Sequence, residues 1–414
     1  MSNSTEIQAA QTLWNKIKPR GDQFMWGIIF ILSIWGLLAI YSSTGALAYK
    51  KNGGMVEIYL MQQAGLLCGG FFIMFIVHSI HYKHFVSLSK LLLYITYPLL
   101  IYTLFFGLEI NGARRWINFF GLTFQSSDIA KLALIMFVTR ELARKQEEIK
   151  DLKKSFLPIL THITLICLLI APENLSTALV LFSTCMVIMF IGRVSLKHLF
   201  GVAGAGILAG LLLFGILFAV PEKALKGTGR LLTWKNRVES FGKKETDPDK
   251  TFQNDHAKIA IASGGMMGKF PGNSTERNFL PEAYSDFIYA IIAEEYGMIG
   301  AVIMLFLYMF FLYRAMRMVL KSPKAFGALI AVGLSFSLVL QALINMAVAV
   351  NIFPVTGLTL PLVSKGGTSI LLTSVAFGVI MSVSRYIEQD EPNLEEPTKE
   401  AIPSTDNTLI ENGA

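Results

Sequence analysis

Residues 284–314 read YSDFIYAIIAEEYGMIGAVIMLFLYMFFLYR. A bilayer-crossing helix needs about 20 mostly apolar residues. This run exceeds that, so the helix starts outside the hydrocarbon and then enters it. It opens on Asp286 and carries Glu294 and Glu295 further in. Ionisable groups inside a membrane are expensive and point to function. Asp286 falls in the first turn of a helix expected to start near Ser285, at the interface. Two effects oppose each other there: the helix terminus favours the charged carboxylate, and burial in an apolar cleft disfavours it. Glu294 lies eight residues on, about 12 Å deeper. Glu294 and Glu295 point about 100° apart, so they read as packing or gating residues.

Outward from this stretch the whole chain has the same character. Of its 414 residues, 53% are hydrophobic and 16% charged, against about 25% charged in a soluble domain. Mean hydropathy is +0.53. This composition argues against a soluble enzyme and excludes a collagen-like or disordered chain and a disulfide scaffold. The net charge of +7 is assigned to membrane orientation and not to nucleic acid. Cys68, Cys167 and Cys185 sit in apolar runs without ligand spacing and read as small core residues. No cleavable signal peptide is recognised, so the first span would serve as an uncleaved anchor.

The apolar runs predict an all-α polytopic membrane protein with ten transmembrane helices. They are placed at 24–44, 57–78, 86–107, 127–144, 154–171, 175–192, 197–220, 284–314, 325–350 and 366–386. The domain plan is a cytoplasmic tail 1–23, a membrane domain 24–386 and an acidic, disordered cytoplasmic tail 387–414. One large extracytoplasmic loop, 221–283, joins the seventh and eighth spans. It holds Trp234, Arg237, a charged stretch 243–250 and the Gly-rich run 263–268. With that long loop and the tail beyond Arg385 left out, one side carries 17 Lys and Arg and the other 5, which puts both termini in the cytoplasm.

Polar residues gather on the outer side. Residues 111–117, NGARRWI, read as an amphipathic interfacial segment, with Trp116 as anchor and Arg114 and Arg115 toward headgroups. In 125–131, QSSDIAK, Ser127 is the expected N-cap and Asp128 suits the positive helix end. Lys131 either pairs with Asp128 or joins a cationic cradle for an anionic headgroup. Glu173, in the outer turn 172–178, would neutralise those cations or coordinate a cation. Residues 351–369, NIFPVTGLTLPLVSKGGTS, are apolar but broken by two prolines and three glycines, and read as a re-entrant or lid segment. Its N–H groups and hydroxyls suit an anion or sugar. His78, His81 and His84 read as a solvated cytoplasmic loop and not as a metal site.

These segments, in this order, resemble the SEDS family (FtsW, RodA and SpoVE) over residues 24–386. The matching stretches are NGARRWI with FQSSDIAKLALI, then APENLSTALV, KIAIASGGMMGK, NFLPEAYSDFIYAIIAEEYGMIGA and NIFPVTGLTLPLVSKGGTSI. The wording looks more like the division-type FtsW branch than the RodA branch. The resemblance implies a peptidoglycan glycosyltransferase that polymerises lipid II at the outer face of the cytoplasmic (inner) membrane. It implies Asp286 as the catalytic carboxylate, with Arg115, Lys131, Glu173, Arg237 and Ser364 around the cavity. Lys365 and Thr368 join them as substrate-binding candidates, Lys365 standing where the family usually has an aromatic residue. In the implied inverting displacement the leaving diphosphate needs positive charge, from Arg115, Lys131, Arg237 or a divalent cation such as Mg or Mn. A class B penicillin-binding protein and other divisome proteins are the implied partners. The competing readings are a lipid II flippase and a non-catalytic scaffold for a transpeptidase.

Overall fold

The computed structural model describes residues 20–390, apart from 111, 120, 221–230, 233, 236–247, 281 and 323. Arg237, most of the stretch 243–250 and most of both tails therefore lie outside the described residues. The helices are α1 (Gln23–Ser43), α2 (Gly45–Asn52), α3 (Glu57–Ser79), α4 (Lys83–Phe106), α5 (Ser126–Arg144), α6 (Leu157–Ile170), α7 (Leu175–Ile191), α8 (Leu196–Ala219), α9 (Pro248–Gly264), α10 (Ile288–Lys321), α11 (Ala325–Ala349) and α12 (Ser369–Asp390). All ten expected spans are present as helices. Among the described residues, eight helices are long and apolar enough to cross a membrane unaided. The other two of the ten are α5 and α7. Helix α5 carries Asp128, Lys131, Arg140, Glu141 and Arg144, yet Ala130, Ala133, Leu134, Val138 and Thr139 are fully buried. It tolerates charge because its neighbours are protein and not lipid. Helix α8 is the opposite case, with almost its whole length turned outward.

Between lipid-exposed helices there is little hydrophobic drive to associate, so close approach of small residues matters. Helix α12 packs along α3 in this way. A Cβ on Gly70 would stand 2.5 Å from the Ser374 hydroxyl, and one on Gly378 2.8 Å from Val77. Asp22 caps α1 by accepting the N–H groups of Phe24 and Met25 at 3.0 and 3.2 Å. Its carboxylate pairs with Arg314, and its own N–H donates to the Ser384 hydroxyl at 2.8 Å. The start of α1 and the ends of α10 and α12 therefore share one face of the bundle.

Three sequence expectations are corrected. Three antiparallel strands, β1 (Leu108–Ile110), β2 (Ala113–Phe119) and β3 (Leu122–Gln125), form a sheet that the sequence did not predict, and Arg115 and Trp116 line a cavity where the sequence pointed them at headgroups and interface. Ile117 faces Phe124 and Asn118 faces Thr123 across the hairpin. The period-two alternation and the turn glycine Gly121 (φ 83°) are strand signals, and they prevail. His78 is buried at the end of α3, where Nε2 contacts the Arg20 carbonyl at 2.8 Å, so it belongs to the packing of the N-terminal segment and not to a solvated loop. Cys68 is exposed on the outward face of α3; only Cys167 and Cys185 are core.

Helix α10 breaks at Gly297 (φ 68°, ψ −170°), a backbone conformation essentially open only to glycine. The break leaves backbone groups without helical partners, and the loop after α9 supplies them. Met298 and Ile299 donate to the carbonyls of Gly265 and Met266 at 2.9 and 3.3 Å, and Lys269 donates to the Glu294 carbonyl at 3.0 Å. This explains the Gly-rich run 263–268. A Cβ on Gly268 would fall 2.1 Å from the Glu295 carbonyl oxygen. Glu294, with no solvent exposure, accepts from Lys269 Nζ at 2.7 Å, the Ser274 hydroxyl at 2.5 Å and the Thr275 N–H at 3.0 Å. Glu295 accepts from Ser42 on α1. The two carboxylates thus serve different partners, as their angular separation requires, and both act as packing residues. Gly297→Ala should lower stability by about 3 kcal/mol. The expected readout is a lower Tm and less monodisperse detergent-purified protein; an unchanged Tm would refute this role for Gly297.

Candidate active site

At the bundle end opposite Asp22 lies a polar cavity of about 430 Å³. The hairpin contributes Arg115, Trp116, Thr123 and Gln125. The start of α5 contributes Asp128 and Lys131, and α11 contributes Gln341. The turn before α10 adds Glu282, Tyr284, Ser285 and Asp286, and the segment between α11 and α12 adds Gly357, Thr359, Lys365 and Thr368. Five sequence candidates therefore meet in one space: Asp286, Arg115, Lys131, Lys365 and Thr368.

Asp286 sits just before the helix. Residues 282–287 are turns and α10 begins at Ile288, three residues later than expected. The carboxylate is half-buried and accepts from the Ser285 hydroxyl at 3.2 Å. A Cβ on Gly357 would be 3.6 Å from its Oδ2, in ordinary contact, so the re-entrant segment passes directly beside it.

The main chain around Asp286 is held by three donors. Lys365 N–H donates to the Tyr284 carbonyl at 2.9 Å. The Ser364 hydroxyl donates to the Ser285 carbonyl at 2.7 Å, and Asn345 Nδ2 to the Asp286 carbonyl at 2.9 Å. Asn345, almost fully buried on α11, also donates to the Leu358 carbonyl at 2.6 Å. Three consecutive carbonyls are thereby pinned by groups 59 to 81 positions away. This reassigns Ser364. It is buried behind the cavity, where it also accepts the Leu360 N–H at 2.8 Å, and it fixes the Asp286 turn in place of touching substrate.

The cations are set by different contacts. Arg115 Nε donates to the Glu173 carbonyl at 2.8 Å, while the Glu173 carboxylate accepts the Arg114 N–H at 2.8 Å. Glu173 therefore supports the hairpin from outside the cavity and does not line it. Lys131 pairs with Asp128 at 2.8 Å and donates to Gln341 Oε1 at 3.1 Å. The expected Asp128–Lys131 pair is present, and it leaves part of the Lys131 charge neutralised. Ser127 is not the N-cap: α5 starts at Ser126 after Gln125, whose side chain donates to the Ser127 hydroxyl at 2.7 Å. Lys365 Nζ lies 3.8 Å from the Tyr59 ring centroid and 5.2 Å from that of Tyr284, placing a cation over two aromatic faces. Burial and the neighbouring Glu282 push the Tyr284 phenol above its ordinary pKa, so it remains a hydroxyl donor. Thr368 donates to the Thr123 carbonyl, tying the re-entrant segment to the hairpin.

Gln341 and Asn345, inside the span expected at 325–350, are not among the residues that the sequence singles out. Two amides four residues apart in such a span share one helix face, and that was the available signal.

The sequence model of the family described as "Cell cycle protein", comprising FtsW, RodA and SpoVE, matches residues 22–389. The chain belongs to the FtsW/RodA/SpoVE family. It is 33% identical to stage V sporulation protein E of Bacillus subtilis (strain 168) over 321 residues, covering 77% of this chain and 84% of that one. It is 32% identical to a probable peptidoglycan glycosyltransferase FtsW of Nitrosococcus halophilus, covering 80% and 84%. Among solved structures it superposes with TM-score 0.69 on a chain of a peptidoglycan synthase complex that coordinates polymerization and crosslinking, at 25% identity, covering 89% and 99%. Rod shape determining protein RodA of Thermus thermophilus matches with TM-score 0.63 at 25% identity, covering 88% and 98%. The polytopic membrane fold of this FtsW/RodA/SpoVE family member is thus shared with its solved relatives over nearly their whole length.

Proposed function

We propose that this chain is a peptidoglycan glycosyltransferase that polymerises lipid II at the outer face of the cytoplasmic membrane, with both termini cytoplasmic. The observation that carries the reading is Asp286, a carboxylate with a pinned backbone at the wall of a polar cavity that also holds Arg115, Lys131 and Lys365. Beside that cavity runs an apolar groove of about 280 Å³ between α7, α8 and residues 353–358; Arg115, Asn174 and Leu358 line both spaces. A substrate with a sugar, a diphosphate and a long polyprenyl tail matches that sequence of environments. Among the described residues the groups that line the polar cavity gather at one bundle end, where Asp286 lies, which favours polymerisation there over lipid translocation.

Asp286 takes the proton from the 4-hydroxyl of the acceptor N-acetylglucosamine. That oxygen attacks the anomeric carbon of the donor N-acetylmuramic acid, the bond to undecaprenyl diphosphate breaks, and the configuration inverts. Arg115 and Lys365 meet the charge that develops on the diphosphate, Arg by its bidentate fork. Among the described residues no group of three His, Cys, Asp or Glu side chains could hold a metal. A divalent cation would therefore take most of its ligands from the diphosphate and water.

The relation to a complex that couples polymerization with crosslinking, and to FtsW proteins, supports a class B penicillin-binding protein as partner, and division proteins at the septum as its setting. The test is labelled lipid II with the purified chain and its cognate transpeptidase. Glycan strands are expected. Translocated lipid without strands, or neither product, would overturn the proposal.

A further inference from the structure

Two of the three groups that pin the Asp286 main chain, the Ser364 hydroxyl and the Lys365 N–H, come from one tight turn, residues 360–364, and the residue after it. That turn closes on itself. Val363 and Ser364 donate their N–H groups to the Leu360 carbonyl at 3.2 and 2.9 Å, and the Leu360 N–H donates to the Ser364 hydroxyl at 2.8 Å. At its centre the buried Leu362 has φ 65°, a left-handed conformation that a leucine rarely adopts. Such a conformation persists only where the surroundings over-determine it.

Two residues on other helices supply that support. Tyr308, buried on α10 beyond the break at Gly297, donates its hydroxyl to the Pro361 carbonyl at 2.5 Å. Gly36, buried on α1, lies directly against the next two residues. A Cβ on Gly36 would stand 2.7 Å from the Leu362 carbonyl oxygen and 2.8 Å from the Val363 Cα. Those atoms are main chain, so the turn approaches α1 this closely only because residue 36 has no side chain. The two helices are also joined to each other on either side of this contact. Asp22 pairs with Arg314, Trp35 meets Tyr296 edge-on with ring centroids 5.3 Å apart, and Glu295 accepts from Ser42. Neither Gly36 nor Tyr308 is among the residues that line the polar cavity. We propose that Gly36 and Tyr308 are positioning residues for glycosyl transfer, a role that rests on the polymerase activity proposed above. Together they seat the 360–364 turn, and through the Ser364 hydroxyl and the Lys365 N–H that turn sets where the Asp286 carboxylate stands.

The test measures strand synthesis per folded molecule from labelled lipid II, with the cognate transpeptidase present, and amide hydrogen exchange of the purified full chain in detergent. Gly36→Ala should push the turn off its seat. Turnover should fall about tenfold to 100-fold, the range for a misplacement approaching 1 Å, while the KM for lipid II changes little. The Ser364 and Lys365 amides should exchange faster. Gly27→Ala makes the same chemical change on the same helix, where a Cβ would meet nothing within 4 Å, and should match the parent in both readouts. Tyr308→Phe keeps the ring and withdraws only the hydroxyl, so it decides the matter should Gly36→Ala not fold. The same split between turnover and KM is expected for it in weaker form. A role in stability alone would lower Tm and leave turnover per folded molecule unchanged. Parental turnover in Tyr308→Phe, or in folded Gly36→Ala, would overturn the positioning role while the polymerase reading stood, and so would a raised KM at constant turnover. A parent chain that makes no strands would remove the polymerase reading, and the positioning role with it.

Discussion

Asp286→Asn is expected to yield no detectable glycan strands. The substitution keeps the shape of the side chain and an oxygen that can still accept from the Ser285 hydroxyl, now at 3.2 Å. The main-chain bond from Asn345 to the residue 286 carbonyl is untouched. What disappears is the group that takes up the acceptor's proton. General-base catalysis is worth about 10²- to 10⁴-fold, enough to drop polymer below detection on a gel of labelled product. Lipid II binding and membrane insertion should persist, because no cation of the cavity is altered. Polymer at near-parental yield would remove Asp286 from the mechanism.

The second large effect is expected from a residue that touches no substrate. Asn345→Leu keeps the volume on α11 but withdraws the donor shared by the carbonyls of Asp286 and Leu358. Each buried carbonyl left without a partner costs about 1–3 kcal/mol, so Tm should fall. The more telling readout is kinetic. A shift of about 1 Å in a catalytic group is enough for a 10²-fold loss. The turnover rate should therefore fall by about that factor while the KM for lipid II changes little, the pattern of an interaction needed in the transition state and not for binding. A rise in KM at constant turnover would instead make Asn345 a binding residue. Ser364→Ala removes a second of the three carbonyl donors and should show the same split in weaker form.

The contrast between Asp286 and Asn345 shows how far the sequence could be read. Asp286 is a charge at the edge of a long apolar run after a long polar loop, so its position along the chain alone marks it as costly and exceptional. Asn345 is neutral and sits inside an apolar span, marked there only by a second amide, Gln341, one turn earlier. Its role exists only because folding brings residues 286 and 358 to it. Ser364 shows the converse: its family position placed it near the cavity, but not whether its hydroxyl faced substrate or backbone. The hairpin was misread for a related reason. Two adjacent arginines and a tryptophan look interfacial one residue at a time, while the pairing of Ile117 with Phe124 needs the second strand.

The chain's own sequence determined the ten helices expected as spans, eight of them long and apolar enough to cross a membrane, the grouping of the cavity's polar segments on one side, and Asp286 as the exceptional carboxylate. Apolar run length and charge placement are local properties, and the bilayer reads them locally. Only the tertiary structure decided which cations share the cavity with Asp286, that Glu173 and Ser364 act from behind it, and that the loop after α9 fills the break at Gly297. Those outcomes depend on hydrogen bonds between residues tens to hundreds of positions apart. A buried carbonyl or N–H takes whichever partner the packed helices bring within about 3 Å, and the order of residues along the chain does not name that partner.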